Sequence, residues 1–256
     1  MRLAVLVIST ALLLSGCADP PPPPFQRTAA QALSEAEAAR AARRFQDALA
    51  LYFEAAQKGD AGGKVGLGTM YYAGTGAVRD YAEALHWLTD PAEAGNATAQ
   101  FTLGEILDSG GTGVLQDRKA SLEWFRKAAE QNHVRAQYRL GADYNFGRGT
   151  PVNYNEALRW YTRAADAGDT DAQTAIGVLY AEGRGLAQNF ATARARFETA
   201  AAAGNAEAMK NIGYLYESGN GVPKNDALAK DWLKRAAAAG SEEASRRLTI
   251  VLTPVP

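Results

Sequence analysis

Gly183-Arg184-Gly185 places two glycines one residue apart, a spacing that occurs in half of a phosphate-binding loop. A dinucleotide fingerprint needs a strand before its glycines and a third glycine opening the helix that follows. Here helix-favouring sequence lies on both sides, and no third glycine completes the pattern. The pair therefore reads as a structural turn. Other groups capable of chemistry are sparse. His86 and His133 stand 47 positions apart, and neither H-E-x-x-H nor a paired-cysteine metal motif occurs. One cysteine, Cys17, excludes an internal disulfide framework. A glycan-cleaving enzyme would need a carboxylate pair in a cleft, and none is identifiable. Arg148 and Arg184 occupy equivalent turns, as solvated loop residues or as contacts for an anionic polymer. With 27 Lys+Arg against 28 Asp+Glu, nothing points to nucleic acid. The expectation is a non-enzyme with no metal, no cofactor, no nucleic-acid partner and no small-molecule substrate.

The glycine pair recurs at Gly74/Gly76, Gly111/Gly113, Gly147/Gly149, Gly183/Gly185 and Gly219/Gly221, in steps of 37, 36, 36 and 36 residues. One inserted residue near Ser109 and Gly110 accounts for the longer step. Gly68, Gly104, Gly141, Gly177 and Gly213 keep the same beat, each after Leu or Ile. So do Trp87, Trp124, Trp160 and Trp232, with Arg196 and the adjoining Phe197 in the remaining unit. Self-similarity at this period is the signature of a solenoid.

Each unit reads as two helices. The first carries A-x-x-x-L-G-x-x-Y, as in Ala136, Leu140, Gly141 and Tyr144, on one helical face. Glycine inside a helix costs about 1 kcal/mol relative to alanine, so five such glycines imply a neighbour too close for a side chain. The glycine pair ends this helix. Asp80, Asp117, Asn153, Asn189 and Asn225 then cap the second helix. That helix carries A-x-x-W-x-x-x-A-A-x-x-G, and the fixed place of its tryptophans beside alanines predicts that they are core. Pro91 in the first unit predicts a kink or break near Asp90. Asn132 replaces a closing glycine and tolerates the left-handed conformation.

These motifs resemble the Sel-one-like repeat, a longer relative of the tetratricopeptide repeat. The resemblance covers about residues 60–240 as five units and implies an all-α fold, a right-handed α-solenoid of helix-turn-helix repeats of about 36 residues. The solenoid would fill 28–256, with a half unit capping each end: residues 43–60 as a second helix, 242–248 as the start of a first helix. Some relatives carry a cysteine pair in each unit, with penicillin-binding activity claimed for them; this chain lacks those cysteines, and that activity does not carry over. In tetratricopeptide arrays the first helices line a concave groove. By that resemblance the groove holds Tyr72 from the first unit and Phe101, Glu105 and Asp108 from the second. The third contributes Arg135, Tyr138 and Asn145, and the fifth Lys210, Tyr214 and Glu217. Their identities vary from unit to unit, as they would on a binding face or on an unconstrained surface. Phe101 and Tyr138, at equivalent places, are expected to neighbour each other as aromatic anchors.

The N-terminus reads as a targeting signal. Arg2 precedes the apolar run of residues 3–14, too short and too terminal for a membrane span. Leu14-Ser15-Gly16-Cys17 then resembles the lipobox of bacterial lipoproteins. That resemblance implies removal of residues 1–16 and lipid on Cys17. Residues 17–27 form a linker in which Pro20 to Pro24 favour an extended polyproline spacer. Ala18, by resemblance to enterobacterial sorting rules, favours the outer membrane, periplasmic face, over the inner membrane. The implied function is a non-catalytic protein–protein interaction scaffold. It would assemble or stabilise an envelope complex such as a polysaccharide export or secretion system. The alternatives are a periplasmic regulator that binds a sensor's extracytoplasmic domain, and a cell-wall glycan-binding or glycan-modifying protein.

Overall fold

The structure is a computed structural model that describes residues 27–252 apart from residue 112; Cys17 and the proline run lie outside the described residues. Thirteen α-helices and no strand are found among them. The first pair is α1 (Ala29–Ala41) and α2 (Phe45–Gln57). Five further pairs follow: α3 (Ala61–Ala73) and α4 (Tyr81–Glu93), α5 (Ala97–Ser109) and α6 (Arg118–Glu130), α7 (Val134–Phe146) and α8 (Tyr154–Asp166), α9 (Thr170–Glu182) and α10 (Phe190–Ala202), α11 (Ala206–Ser218) and α12 (Asp226–Ala238). A last helix, α13 (Glu242–Leu252), closes the array. Sequence neighbours pack as hairpins, and α1 touches α3, α3 touches α5 and α9 touches α11. The first helices thus form one row, and the fold is an α-solenoid.

Caps set the helix boundaries. Asp80, Asp117, Asn153, Asn189 and Asn225 all accept backbone N–H groups at the start of the second helices, as their spacing predicts. The first helices are capped in the same way by Asp60, Asn96, His133, Asp169 and Asn205. Gly74, Gly147, Gly183 and Gly219 end α3, α7, α9 and α11 in the left-handed conformation. In the second unit, with its extra residue, Gly110 ends α5 at φ 63° and ψ −177°, outside the left-handed helical region, and Gly111 pairs with Val114 in an isolated bridge. The second glycine of a turn has a separate task. A Cβ on Gly149 would lie 2.2 Å from the Arg118 carbonyl, and one on Gly221 would lie 2.4 Å from Phe190 Cβ. Each turn therefore rests on the start of the preceding unit's second helix.

The helical glycines are sites of close approach. A Cβ on Gly68, Gly104, Gly141, Gly177 or Gly213 would lie 2.5–3.0 Å from Leu88, Phe125, Tyr161, Phe197 or Leu233 respectively. These five partners are buried, each one residue after the tryptophan position. The expectation of a tryptophan core is corrected accordingly. Of the four only Trp160 is buried; Trp87, Trp124 and Trp232 are partly buried and pack against the core from its margin. Cations cover three of the rings, with Lys127 Nζ 3.9 Å from the Trp124 centroid, the Arg235 guanidinium 3.8 Å from that of Trp232, and Arg159 and Arg163 at 4.9 and 4.8 Å from that of Trp160. The expected break at Pro91 is also absent: α4 runs through it to Glu93. Pro91 lies in the last turn, so only a terminal hydrogen bond is lost. The N-terminal cap is a whole hairpin and not a half unit. In α1, Ala36 stands where later units have the helical glycine, and it is fully buried.

Candidate partner-binding face

The expected groove residues fall on α3, α5, α7 and α11, all in the row of first helices. Most already bind their own neighbours. The Tyr72 hydroxyl donates to Glu105 Oε2 at 3.4 Å, and Arg139 Nε meets Glu105 Oε1 at 2.5 Å. That bond raises the Arg139 pKa above the usual guanidinium range. Asp108 lies 3.6 Å from Arg118. In the last full unit Lys210 is buried between Glu207 at 2.5 Å and Glu243 at 2.6 Å. Burial alone would lower the Lys210 pKa, but the two carboxylates outweigh it and raise it. Tyr214 donates to Glu243 at 3.0 Å, and Arg247 pairs with Glu217. Polar contacts thus tie the C-terminal helix to the array.

Phe101 is not a presented anchor. It is 6% exposed, stacked on His133 with centroids 4.6 Å apart and covered by the Arg135 guanidinium at 5.1 Å. It belongs to the core with Phe125 and Leu140. Tyr138 packs instead on Tyr161, at 5.7 Å. The two anchors therefore do not form a ring pair. His133 accepts the Ala136 N–H on Nδ1 at 3.2 Å and so caps α7. Burial, then Arg135, lowers its pKa. Arg135 is exposed, and Tyr138 and Asn145 border a hollow of about 310 Å³ between α7 and α9. Of the two loop arginines, Arg184 pairs with Glu182 and Arg148 sits 5.1 Å from the Phe146 ring centre.

The comparisons with known proteins agree with this geometry. The Sel1 repeat profile matches residues 64–96, 97–133, 134–169, 170–205 and 206–241. The chain belongs to the Sel1 repeat family. A Sel1 repeat protein from Oxalobacter formigenes is similar over 87% of this chain and 88% of its own, at 30% identity and a TM-score of 0.81. The antigen c5321 of uropathogenic Escherichia coli, described as protective and as having an SLR fold, is 28% identical with a TM-score of 0.70. That match covers 81% of this chain but 44% of the antigen. A putative Sel1 repeat protein from Klebsiella pneumoniae shares the fold at 18% identity, over 79% of this chain and 98% of its own, with a TM-score of 0.52. No curated protein matches. Sel1 repeats typically mediate protein–protein interaction and are generally non-catalytic scaffolds.

Aligned on their helical glycines, the five Sel1 repeats show where α7 is unusual. Two places after the glycine, four units bury Met70, Ile106, Leu179 and Leu215; the third buries Asp143, only 4% exposed. Burial pushes the Asp143 carboxyl up to about 7, and Asp108 adds to the shift while Arg148 and Arg139 oppose it. Five places after the glycine, Ala73, Ser109, Glu182 and Ser218 correspond to Phe146, which is 56% exposed. Two places before it, Gly66, Thr102, Ala175 and Asn211 correspond to Arg139. None of the three is among the groove positions that the resemblance implies. Each is nonetheless visible as an exception within its column.

Proposed function

We propose that this Sel1 repeat chain is a non-catalytic scaffold of the bacterial envelope. Lipid on Cys17 holds it at the outer membrane, the proline-rich segment spaces it from the lipid, and the first-helix row faces the periplasm and gathers proteins of an envelope complex. Export of polysaccharide and protein secretion are complexes of the right kind. The observation that carries the reading is the concentration of Tyr138, Arg139, Asp143, Asn145 and Phe146 on α7, against a background of repeated core residues. A helix that departs from its repeat on the face shared by the row is where selection for a partner would act. Lipid anchoring rests on Leu14-Ser15-Gly16-Cys17; several acyl chains anchor stably, at about 0.8 kcal/mol per buried CH₂.

Two measurements test the two halves of this reading. A photo-crosslinking residue at Arg135, exposed at the start of α7, should capture an envelope protein in intact cells. The same residue at Arg159, exposed on α8, should not. Capture only at Arg159 would move the site to the second helices. For the anchor, Cys17→Ser should abolish lipid labelling and release the chain from outer-membrane fractions. Retention in the membrane at high salt would show that lipid is not its main anchor.

A further inference from the structure

The hollow between α7 and α9 has a polar balance that its own residues do not complete. Asn145 is 8% exposed. Its side chain lies beside Tyr161 in the lining of the hollow, and its Oδ1 is buried with no hydrogen-bond partner. An acceptor left this way costs about 1–3 kcal/mol unless a ligand supplies a donor. Two nearby side-chain donors are engaged elsewhere. The Thr174 hydroxyl donates to the Thr170 carbonyl at 2.8 Å, and Arg184 is held by Glu182. What is missing at Asn145 is an N–H or O–H.

The rest of the lining says what kind. Tyr138, Tyr161 and Phe146 supply aromatic surface. Phe146 already receives one guanidinium, that of Arg148. Two carboxylates, Asp171 and Glu207, also line the hollow. Asp171 accepts the Asn205 side-chain amide at 2.7 Å and Glu207 meets Lys210 at 2.5 Å, so each has one oxygen outside that contact. Burial first, and then Asp171 and Asp169, raise the Tyr138 pKa, against Arg139 and Arg148. Aromatic faces, acidic groups and a spare carbonyl oxygen together favour a planar cation with several donors.

We propose that this hollow is a subsite for an arginine side chain on the partner protein. The guanidinium lies against the aromatic wall, donates to Asn145 Oδ1, and faces Asp171 and Glu207. This subsite rests on the protein-binding reading of the face.

The test uses the full chain and two probes. Selection from a random peptide display library against the purified protein should enrich arginine-bearing sequences. Enrichment of peptides without basic residues would overturn the subsite and leave the protein-binding reading standing. No enrichment at all would count against both. The second probe is a capped Gly-Gly-Arg-Gly-Gly peptide, titrated by NMR against its citrulline and glutamate counterparts. The arginine peptide should bind at least about tenfold tighter than citrulline, which keeps the planar donors but loses the charge. It should also shift the Asn145 side-chain amide. Asn145→Leu should weaken that binding about tenfold. Asp171→Asn, an exposed change that keeps an oxygen for Asn205, should weaken it several-fold and reduce its salt dependence. Circular dichroism would establish that both variants stay helical. Equal binding of citrulline, tighter binding of glutamate, or unchanged affinity in folded Asp171→Asn would each overturn the subsite.

Discussion

Asp143 is the residue that most disturbs an otherwise regular core. Its folded pKa of about 7 lies above its ordinary 3.8, so the native state prefers the proton. The contribution of the protonated form is fully present below about pH 4 and is lost as pH rises through about 7. His133 acts in the opposite sense. Its pKa is lowered, and Nδ1 caps α7 only while unprotonated. Its contribution is present above its ordinary 6.5 and is lost as pH falls below it. Thermal unfolding followed by circular dichroism should therefore show a loss of Tm between about pH 4 and pH 7 because of Asp143, levelling off above pH 7. Asp143→Leu, which restores the residue type of the other units, should abolish that fall. At pH 8 it should stabilise the chain by about 1–3 kcal/mol, the gain expected when an ionised buried group gives way to a packed apolar one. A variant less stable than the parent at pH 8 would mean that Arg139 and Arg148 already compensate the charge. Asp143 is legible in the sequence as an exception to Met70, Ile106, Leu179 and Leu215. The groove positions taken from tetratricopeptide arrays point past it, because two places after the glycine is a core position in every other unit.

At the scale of the element, one contact repeats: a glycine in the first helix against a large apolar side chain in the second. The glycine is invariant across the five units and so reads directly from sequence. Its partner is Leu88, Phe125, Tyr161, Phe197 or Leu233, and a position filled by such different residues leaves no repeat signature. The tryptophan one place earlier does leave one. One residue rotates about 100° around a helix axis, enough to carry Trp87, Trp124 and Trp232 from the core to its margin. Gly177→Leu should drive a side chain into Phe197, whose ring lies 2.5 Å from the Cβ position, and cost about 1–3 kcal/mol or more in urea denaturation. Arg184→Ala, in the following turn, should stay within about 0.5 kcal/mol. Equal losses in the two variants would remove the special status of the glycine contact. Pro91 shows the converse: its chemistry is plain in the sequence, but its effect depends on how near the helix end it falls.

For the whole molecule, stability is a sum over neighbours. Each unit packs on the one before and the one after, and the ends need closing surfaces. Helix α13 provides one. Ala244 is fully buried in the cluster that holds Leu233 and Ala236, and Glu243 receives Lys210 and Tyr214. Deleting residues 242–256 should reduce hydrogen-exchange protection in α11 and α12 first and leave α5 and α7 nearly unchanged. Uniform loss along the chain would indicate a single cooperative block. The solenoid architecture and its period are legible because recurrence itself is the signal; the N-terminal hairpin is less so, because α1 buries Ala32, Ala36 and Ala39 without the repeat's glycine. The turns carry one more consequence. Each turn is seated on the preceding unit's second helix, so no unit is complete by itself, yet every contact of this kind spans about one period. A gene copying any stretch of about 36 codons, wherever the copy began, would bring along both halves of the contact it interrupts. Such an array lengthens or shortens by whole steps without redesign of its joints. A specialised helix such as α7 is then inherited intact while the number of units around it changes.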